Sequence, residues 1–165
     1  MGRHDIVAEI PRLRRYARAL TGDAVRADDL VQDTLERALG KWSLWRPGNL
    51  RAWLFSIMHN LFVNQARRAG AVDYPGDEAL PELPMRASQA DAIELRDLAG
   101  CLARLPAEQR EVLLLVGLEE LSYAEVAAAL NIPQGTVMSR LSPTRARFKA
   151  VLAGEAARFL KVVTP

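Results

Sequence analysis

The chain has 165 residues, of which 50% are hydrophobic and 25% charged, and its net charge is +2. A chain of this length and hydrophobic content can form one domain, or two small domains, with buried cores. The single cysteine excludes an internal disulfide, and no apolar run or signal-peptide core is present, which predicts a cytoplasmic protein without membrane insertion. The two histidines lie far apart and no phosphate-binding Gly-rich loop occurs, so no metal, no cofactor and no enzymatic activity are expected.

Basic and acidic residues are distributed unevenly along the chain. Residues 41–72 hold five Lys or Arg and no Asp or Glu, whereas residues 73–97 hold seven acidic residues against two arginines. Residues 134–165 are basic again, with six Lys or Arg against one Glu. Two basic segments separated by an acidic one predict two sites for a polyanion.

Helical periodicity dominates the sequence and alternating β-branched runs are missing, so an all-α fold is expected. The first helix is predicted over residues 6–20 and the second over residues 24–39. The residues of the second helix expected to point inward are Val31, Leu35, Ala38 and Leu39. Its outer face carries four polar or acidic residues, namely Asp29, Gln32, Asp33 and Glu36. Such a face is usually only solvated, but it could also dock a basic partner surface.

The helix predicted over residues 50–68 has two different faces. An apolar stripe consists of Leu54, Ile57, Met58 and Leu61. The opposite side, next to a loop with Trp42 and Trp45, carries Trp53, Ser56, Asn60, Asn64 and Arg67. Aromatic rings, amides and a guanidinium without a carboxylate are suited to single-stranded nucleic acid. Any one tryptophan could instead fill the core of a three-helix unit, whereas the whole face favours nucleic-acid binding.

Residues 71–88 are predicted to be a flexible acidic linker, because prolines, glycine and carboxylates cannot bury enough apolar surface to fold. The linker divides the chain into two small helical domains, residues 1–70 and 89–165. In the second domain, Leu95, Leu98, Leu102 and Leu105 form a helical stripe. Cys101 lies in this apolar context and is expected to be a buried free thiol.

Residues 121–141 predict two short helices around a tight turn, the arrangement of a helix-turn-helix. Ser122 and Glu125 form a capping box at the start of the first helix. Asn131 suits the left-handed residue that ends it, and Pro133 can open the second helix in its first turn. The second helix carries hydroxyls and guanidiniums that suit base edges and phosphates, namely Thr136, Ser139, Arg140, Arg145 and Arg147. A similar outline also occurs in plain helical bundles.

Five blocks occur together in an order and spacing that resemble the extracytoplasmic-function sigma factors. They are residues 28–34 (DDLVQDT), 51–57 (RAWLFSI) with Asn60, 105–111 (LPAEQRE), 121–127 (LSYAEVA) and 135–141 (GTVMSRL). The resemblance covers most of the chain outside the linker. It implies a promoter-specificity subunit of bacterial RNA polymerase that has only sigma domains two and four.

The resemblance implies a role for each group of residues. The surface for the polymerase clamp would be Asp29, Gln32, Asp33 and Glu36. The element that melts the minus-ten region and captures a flipped base would be Trp45, Trp53, Asn60 and Asn64. The major-groove contacts at the minus-thirty-five element would be Thr136, Ser139, Arg140 and Arg145, and Arg67, Arg68 and Arg147 would hold phosphates. The expected partners are core RNA polymerase through its clamp and flap, promoter DNA and an anti-sigma factor, and the expected regulon responds to stress or an envelope signal.

One departure from the family pattern is Ser142-Pro143-Thr144, where the recognition helix usually continues with a basic residue. Pro143 denies the Ser139 carbonyl its helical hydrogen bond, and a proline inside a host helix costs about 3 kcal/mol. Either the helix kinks after Leu141, or its C-terminal half docks differently on DNA. The alternative function is a sigma-like decoy that binds an anti-sigma factor without initiating transcription, although such a decoy would not need the clamp and minus-ten faces. An ordinary helix-turn-helix repressor would leave the N-terminal domain unexplained.

Overall fold

The computed structural model of the chain describes residues 4–45, 48–68 and 99–163, and every regular element in these ranges is helical. The N-terminal half consists of α1 (His4–Thr21), α2 (Ala24–Gly40), a 3-10 turn η1 (Trp42–Leu44) and α3 (Leu50–Arg68). The C-terminal half consists of α4, described over residues 99–103, α5 (Ala107–Gly117), α6 (Tyr123–Leu130) and α7 (Gln134–Val163). The all-α prediction is confirmed, and the predicted linker lies outside the described residues.

Local hydrogen bonds fix where the N-terminal helices begin. Gly22, between α1 and α2, has φ 69°, a conformation that glycine adopts without steric penalty. The Asp23 side chain then caps α2 by accepting hydrogen bonds from the backbone N–H groups of Val25 and Arg26. At the start of α3, the Asn49 side chain accepts one from the backbone N–H of Ala52 at 3.1 Å. These caps fix the starts of α2 and α3, the two helices that carry the N-terminal functional faces.

The N-terminal helices pack mainly through the apolar stripes that the sequence predicts. The helical spacing of α1 predicts five inward residues, Ile6, Ile10, Leu13, Ala17 and Leu20, of which all but Ile10 are buried. Tyr16, which this spacing does not predict, is buried against Phe55 with ring centroids 4.8 Å apart. One prediction was wrong, because Leu39 is 46% exposed. Leu39 lies one residue before the end of α2, where the chain turns away into η1, and only the neighbouring Ala38 is covered.

The two halves of the chain share one hydrophobic core. Its buried members include Leu54 and Phe62 of α3 together with Val126 and Leu130 of α6. The α6 helix lies against α3, and α5 lies against α1. Cys101 is 1% exposed and forms no disulfide, as predicted. None of the helices in the described ranges combines the length and the apolarity that a membrane span requires.

Candidate nucleic-acid and polymerase interfaces

Three tryptophans form a cluster at the start of α3. Trp42 and Trp45 are stacked with their ring centroids 5.0 Å apart, and Trp53 lies 6.2 Å from the first and 6.4 Å from the second. All three side chains are half-buried, so part of each indole remains accessible to solvent. The structure therefore brings Trp45 and Trp53 together, as a minus-ten site would require, and adds Trp42 to them. Such separations are typical of favourable aromatic pairs.

The polar face of α3 continues from this cluster along the helix. Asn60, Asn64, Arg67 and Arg68 are all exposed. Ser56 is different, because its hydroxyl donates a 2.6 Å hydrogen bond to the Trp53 carbonyl. The amide and guanidinium groups are therefore available to a ligand, whereas the Ser56 hydroxyl is already engaged within the helix.

The acidic face of α2 adjoins the polar face of α3. Asp29, Gln32, Asp33 and Glu36 are all exposed. The Asp33 carboxylate accepts a hydrogen bond from the Gln65 amide of α3 at 3.4 Å. An open groove between the two helices is lined by Asp33, Glu36, Arg37, Leu61, Asn64, Gln65 and Arg68. The expected polymerase and minus-ten surfaces are thus neighbours that meet in this groove.

The helix-turn-helix has the end signals that the sequence predicts. Ser122 and Glu125 form a reciprocal capping box, with hydrogen bonds of 3.1 and 2.9 Å. Asn131 ends α6 with φ 55° and ψ 49° in the left-handed region. The second helix begins one residue later than predicted, at Gln134, because the Pro133 carbonyl accepts from the backbone N–H groups of Thr136 and Val137 and Pro133 stands just before the first turn.

The expected minus-thirty-five residues do not form one free patch on α7. Thr136 and Arg140 are half-buried, and Ser139 is exposed. The Ser139 hydroxyl donates to the Thr136 carbonyl at 3.1 Å, and Arg140 Nη2 lies 3.7 Å from Glu108 Oε2 of α5. Both groups have internal partners that they must exchange before they contact a base.

Arg145 lies on a different side of α7 from Thr136. The two are nine residues apart, which is two and a half turns at about 3.6 residues per turn, so they point in opposite directions. Arg145 instead lines an apolar and basic groove with Tyr123, Met138, Leu141, Ser142, Ala146 and Lys149. Arg147 is three turns from Thr136 and shares its side of the helix. The structure therefore separates Arg145 from the other expected contact residues.

Pro143 does not end the recognition helix. The α7 helix runs from Gln134 to Val163 with Pro143 inside it and exposed. The next residue, Thr144, is buried, and its hydroxyl donates to the Arg140 carbonyl. The helix thus reaches Arg145 and Arg147 without interruption. Both expected consequences, a kink after Leu141 and a different docking of the C-terminal half on DNA, remain predictions.

Charged residues join the N-terminal and C-terminal halves, which sequence reasoning missed. Glu119, between α5 and α6, is completely buried, and its carboxylate lies 3.2 Å from Arg15 Nη2 and 3.7 Å from Arg12 Nη1 of α1. On α3, His59 Nδ1 lies 3.0 Å from the Glu111 carboxylate of α5. We refer to the arginine contacts of Glu119 as the interdomain ion pairs and to the second contact as the His59–Glu111 hydrogen bond. No local sequence signal identifies them, because their members lie 52 or more residues apart.

Arg110 provides a third connection between the halves. Its guanidinium donates to the carbonyls of Leu102, Ala103 and Leu105 at the end of α4, and to the Leu20 carbonyl of α1. Burial lowers the pKa of Arg110. Burial likewise raises the pKa of the Glu111 carboxyl, although the hydrogen bond from His59 acts in the opposite direction. The interface therefore contains desolvated charges that depend on specific partners.

These features define a two-domain helical protein with a helix-turn-helix in one half and an aromatic and amide face in the other. A family model described as the sigma2 domain of PhyR matches residues 6–59, and one described as sigma-70, region 4 matches residues 95–148. The chain is 42% identical to the ECF RNA polymerase sigma factor EcfG of Rhodopseudomonas palustris, over 91% of this chain and 84% of that protein. It is 31% identical to SigM of Bacillus subtilis, over 83% of this chain and 86% of that protein.

A solved structure shares the same arrangement. The sigma factor RpoE of Bartonella quintana, in complex with the anti-sigma factor NepR, matches with a TM-score of 0.77 at 34% identity, over 91% of this chain and 95% of that one. The chain belongs to the extracytoplasmic-function sigma factors of the sigma-70 family, which direct RNA polymerase to promoters.

Proposed function

We propose that the exposed face of α3 and its tryptophan cluster open the minus-ten element and hold the nontemplate strand. The observation that carries this proposal is the set of part-exposed indoles at the start of α3 and of exposed amides and arginines along it, on a helix that itself contains no carboxylate. Indoles stack on unpaired bases, amides bond to base edges, and Arg67 and Arg68 attract phosphates. Capture of a flipped base must offset an unstacking cost of a few kcal/mol, which this combination of contacts can supply.

The acidic face of α2 is proposed to dock on the polymerase clamp. Asp29, Gln32, Asp33 and Glu36 are exposed along one side of the helix, and a basic docking surface would complement their charge. Because this face meets the minus-ten face in the groove between α2 and α3, docking would fix the orientation of α3 relative to the polymerase. Strand capture and polymerase binding would then be geometrically linked.

The helix-turn-helix is proposed to bind the minus-thirty-five element through one side of α7. Thr136, Arg140 and Arg147 lie on that side, with Ser139 adjacent. Arg140 would leave Glu108 to bind a base, and Arg147 would contact a phosphate. Arg145 lies on the opposite side of α7, so it would contact the DNA only from the other edge of that helix.

The proposed setting is the cytoplasm, with an anti-sigma factor as regulator and a regulon for stress or an envelope signal. Support for the regulator comes from two solved relatives that are held by such factors. One is the RpoE–NepR complex described above. The other is CnrH in complex with the cytosolic domain of CnrY, which matches with a TM-score of 0.68 at 27% identity.

The decisive experiment is run-off transcription with core polymerase and the purified chain. The wild type is expected to give a promoter-specific transcript. Asp29→Arg combined with Gln32→Ala is expected to weaken core binding, because it sets like charges against a basic surface. Arg14→Ala, an exposed charge change on α1, serves as the control. Unchanged affinity of the double variant in a fluorescence titration would remove the clamp assignment.

The decoy hypothesis has one supporting observation, which is the match of residues 6–59 to the sigma2 domain of PhyR. The anti-anti-sigma factor PhyR of Bartonella quintana is only 20% identical to the chain in its solved structure, so the likeness is one of fold alone. The 42% identity to a sigma factor over most of both chains favours transcription. Absence of a specific transcript from the wild type, with gain of one in Pro143→Arg, would favour the decoy.

A further inference from the structure

The groove beside Arg145 is lined by residues that follow one line along α7. They are Met138, Ser142, Arg145 and Lys149, which succeed one another at helical spacing and therefore share a single stripe of the helix. We call these four residues the Met138 stripe. None of the residues that line the groove is acidic, whereas two of them are basic. The charge of the groove therefore suits a polyanion such as DNA.

Met138 is a large apolar side chain that is 53% exposed. Packing of the helix does not require it, because the neighbouring Val137 and Leu141 are the side chains that α7 buries there. Met138 is the fifth residue of α7, which begins at Gln134. The N-terminal residues of a recognition helix are those that reach base edges. The position of Met138 is therefore one from which an apolar side chain can contact a base.

The Met138 stripe lies at one edge of the exposed part of α7. Thr136 and Arg147 lie at the other edge, and the exposed Ser139 lies between them, since successive residues are rotated by about 100° around a helix. The major groove of DNA is about 12 Å wide, which is close to the diameter of a helix with its side chains. A helix within the groove therefore meets DNA along both edges.

We infer that Met138 contacts the C5-methyl group of a thymine in the minus-thirty-five element, and that Arg145 and Lys149 hold phosphates beside it. The inference rests on the proposed insertion of α7 into the major groove at this element. Thymine presents its methyl group in that groove, and apolar side chains recognise it. The flexible, polarizable side chain of methionine adapts to such a contact. Arg145 and Lys149 are exposed and carry the charge that phosphates require.

The test removes one methyl group at a time from the DNA. Holoenzyme assembled from core polymerase and the full chain first selects promoter duplexes from a pool randomised over the minus-thirty-five element. Thymidine is then replaced by deoxyuridine at single positions, and affinity is measured by competition. At one position the replacement should weaken wild-type binding about fourfold, which corresponds to ~0.8 kcal/mol at about 1.4 kcal/mol per factor of ten. Met138→Ala should bind the thymidine and deoxyuridine duplexes equally.

Matched variants separate methyl recognition from other effects. Met138→Leu keeps an apolar side chain and should retain the preference for thymidine, whereas Met138→Gln is polar and should lose it. Both substitutions introduce good helix formers at an exposed position, so they are compatible with folding. Arg145→Ala should keep the preference but lower the slope of log K against log salt by about 0.9, the value for one phosphate contact. Val7→Ala, at a 62% exposed apolar position of α1, is the control and should change neither quantity.

Each contrary outcome has a distinct meaning. Equal wild-type binding to every thymidine and deoxyuridine pair would overturn the inference alone, as would a fourfold preference that persists in Met138→Ala. Weaker binding of Met138→Ala to core polymerase, without any loss of methyl preference, would overturn it in favour of a protein partner for the groove. If the wild type selects no minus-thirty-five sequence, the proposed function of the helix-turn-helix fails together with the inference.

Discussion

The two helices expected to contact DNA, α3 and α7, differ in whether their polar side chains already have partners within the protein. On α3, no hydrogen bond to another residue in the described ranges engages Asn60 or Asn64, and both amides are exposed. On α7, the Ser139 hydroxyl is bound to a backbone carbonyl and Arg140 is held near Glu108. The amides of the first surface are free to bind a ligand, whereas two polar groups of the second already have partners within the protein. The difference predicts that the minus-ten face gains more free energy per contact than the minus-thirty-five face.

The largest effect is expected from Trp53→Ala on α3. Loss of one indole should reduce promoter opening by about 1 to 3 kcal/mol, the range for one stacked base, with a smaller effect on binding to the closed duplex. Permanganate footprinting on a duplex and on a pre-melted template measures the two steps. Ser56→Ala is the matched control, because the Ser56 hydroxyl already donates a hydrogen bond to the Trp53 carbonyl and should not contribute to promoter opening.

Two outcomes with Trp53→Ala and the companion variant Asn60→Ala would change the comparison. Equal defects on duplex and pre-melted templates would mean that base capture itself is lost. Normal behaviour on both templates would mean that these side chains do not contact DNA. The difference between the polar groups of α3 and α7 would then not affect DNA binding.

The next effect concerns Arg140 and its partner Glu108. Arg140→Ala should cost up to about 1 to 3 kcal/mol and relax preference at one base pair, provided that the guanidinium contacts a base. Glu108→Gln should instead tighten binding by roughly 0 to 1 kcal/mol, because it releases an exposed ion pair. Binding to a panel of minus-thirty-five duplexes measures both. Uniform weakening across all sequences in Arg140→Ala would indicate a phosphate contact instead.

A smaller effect is expected at Pro143, where two substitutions separate the contribution of a side-chain charge from that of the backbone hydrogen bond. Pro143→Arg restores a backbone donor to the Ser139 carbonyl and adds a positive charge to the helix that is expected to contact DNA. It should strengthen DNA binding and steepen the dependence of log K on log salt by about 0.9, the value for one added phosphate contact. Pro143→Ala restores the donor alone and should leave the salt dependence unchanged. Identical slopes for the two variants would show that position 143 does not approach a phosphate.

The smallest effect is a pH dependence of the free energy of unfolding, caused by Glu111. This residue lies on α5, beside the helices that are expected to contact DNA. Its pKa is raised above the ordinary 4.5 by burial, so the folded state binds more protons than the unfolded state above that pH. The free energy of unfolding should therefore fall, relative to Glu111→Gln, as pH rises from about 4.5 through the raised pKa, by no more than about 1.4 kcal/mol per pH unit. Urea unfolding of both proteins over this range measures the difference. A difference in the free energy of unfolding that does not change with pH would contradict the raised pKa of Glu111.

Local features of the fold were predictable from the sequence, whereas contacts between its halves were not. The capping box at Ser122 and the left-handed Asn131 depend on residues three or four positions apart, so the sequence encodes them directly. Apolar periodicity identified one buried stripe on α3 but missed Phe55, which packs against Tyr16 of α1, and Phe62, because packing against distant helices leaves no local pattern. The pairing of Glu119 with Arg15 likewise depends on how distant helices meet.

The α6 helix has only eight residues, yet it lies against α3 and also against α7. A side chain enlarged on its α3 side would push the N-terminal helices away, and one enlarged on its α7 side would tilt the recognition helix. Evolutionary change at α6 is therefore constrained from two directions, and tolerated substitutions should be paired with compensating ones in a partner helix. Among related sequences, positions of α6 should co-vary with positions of α3, even though these helices belong to two different domain families.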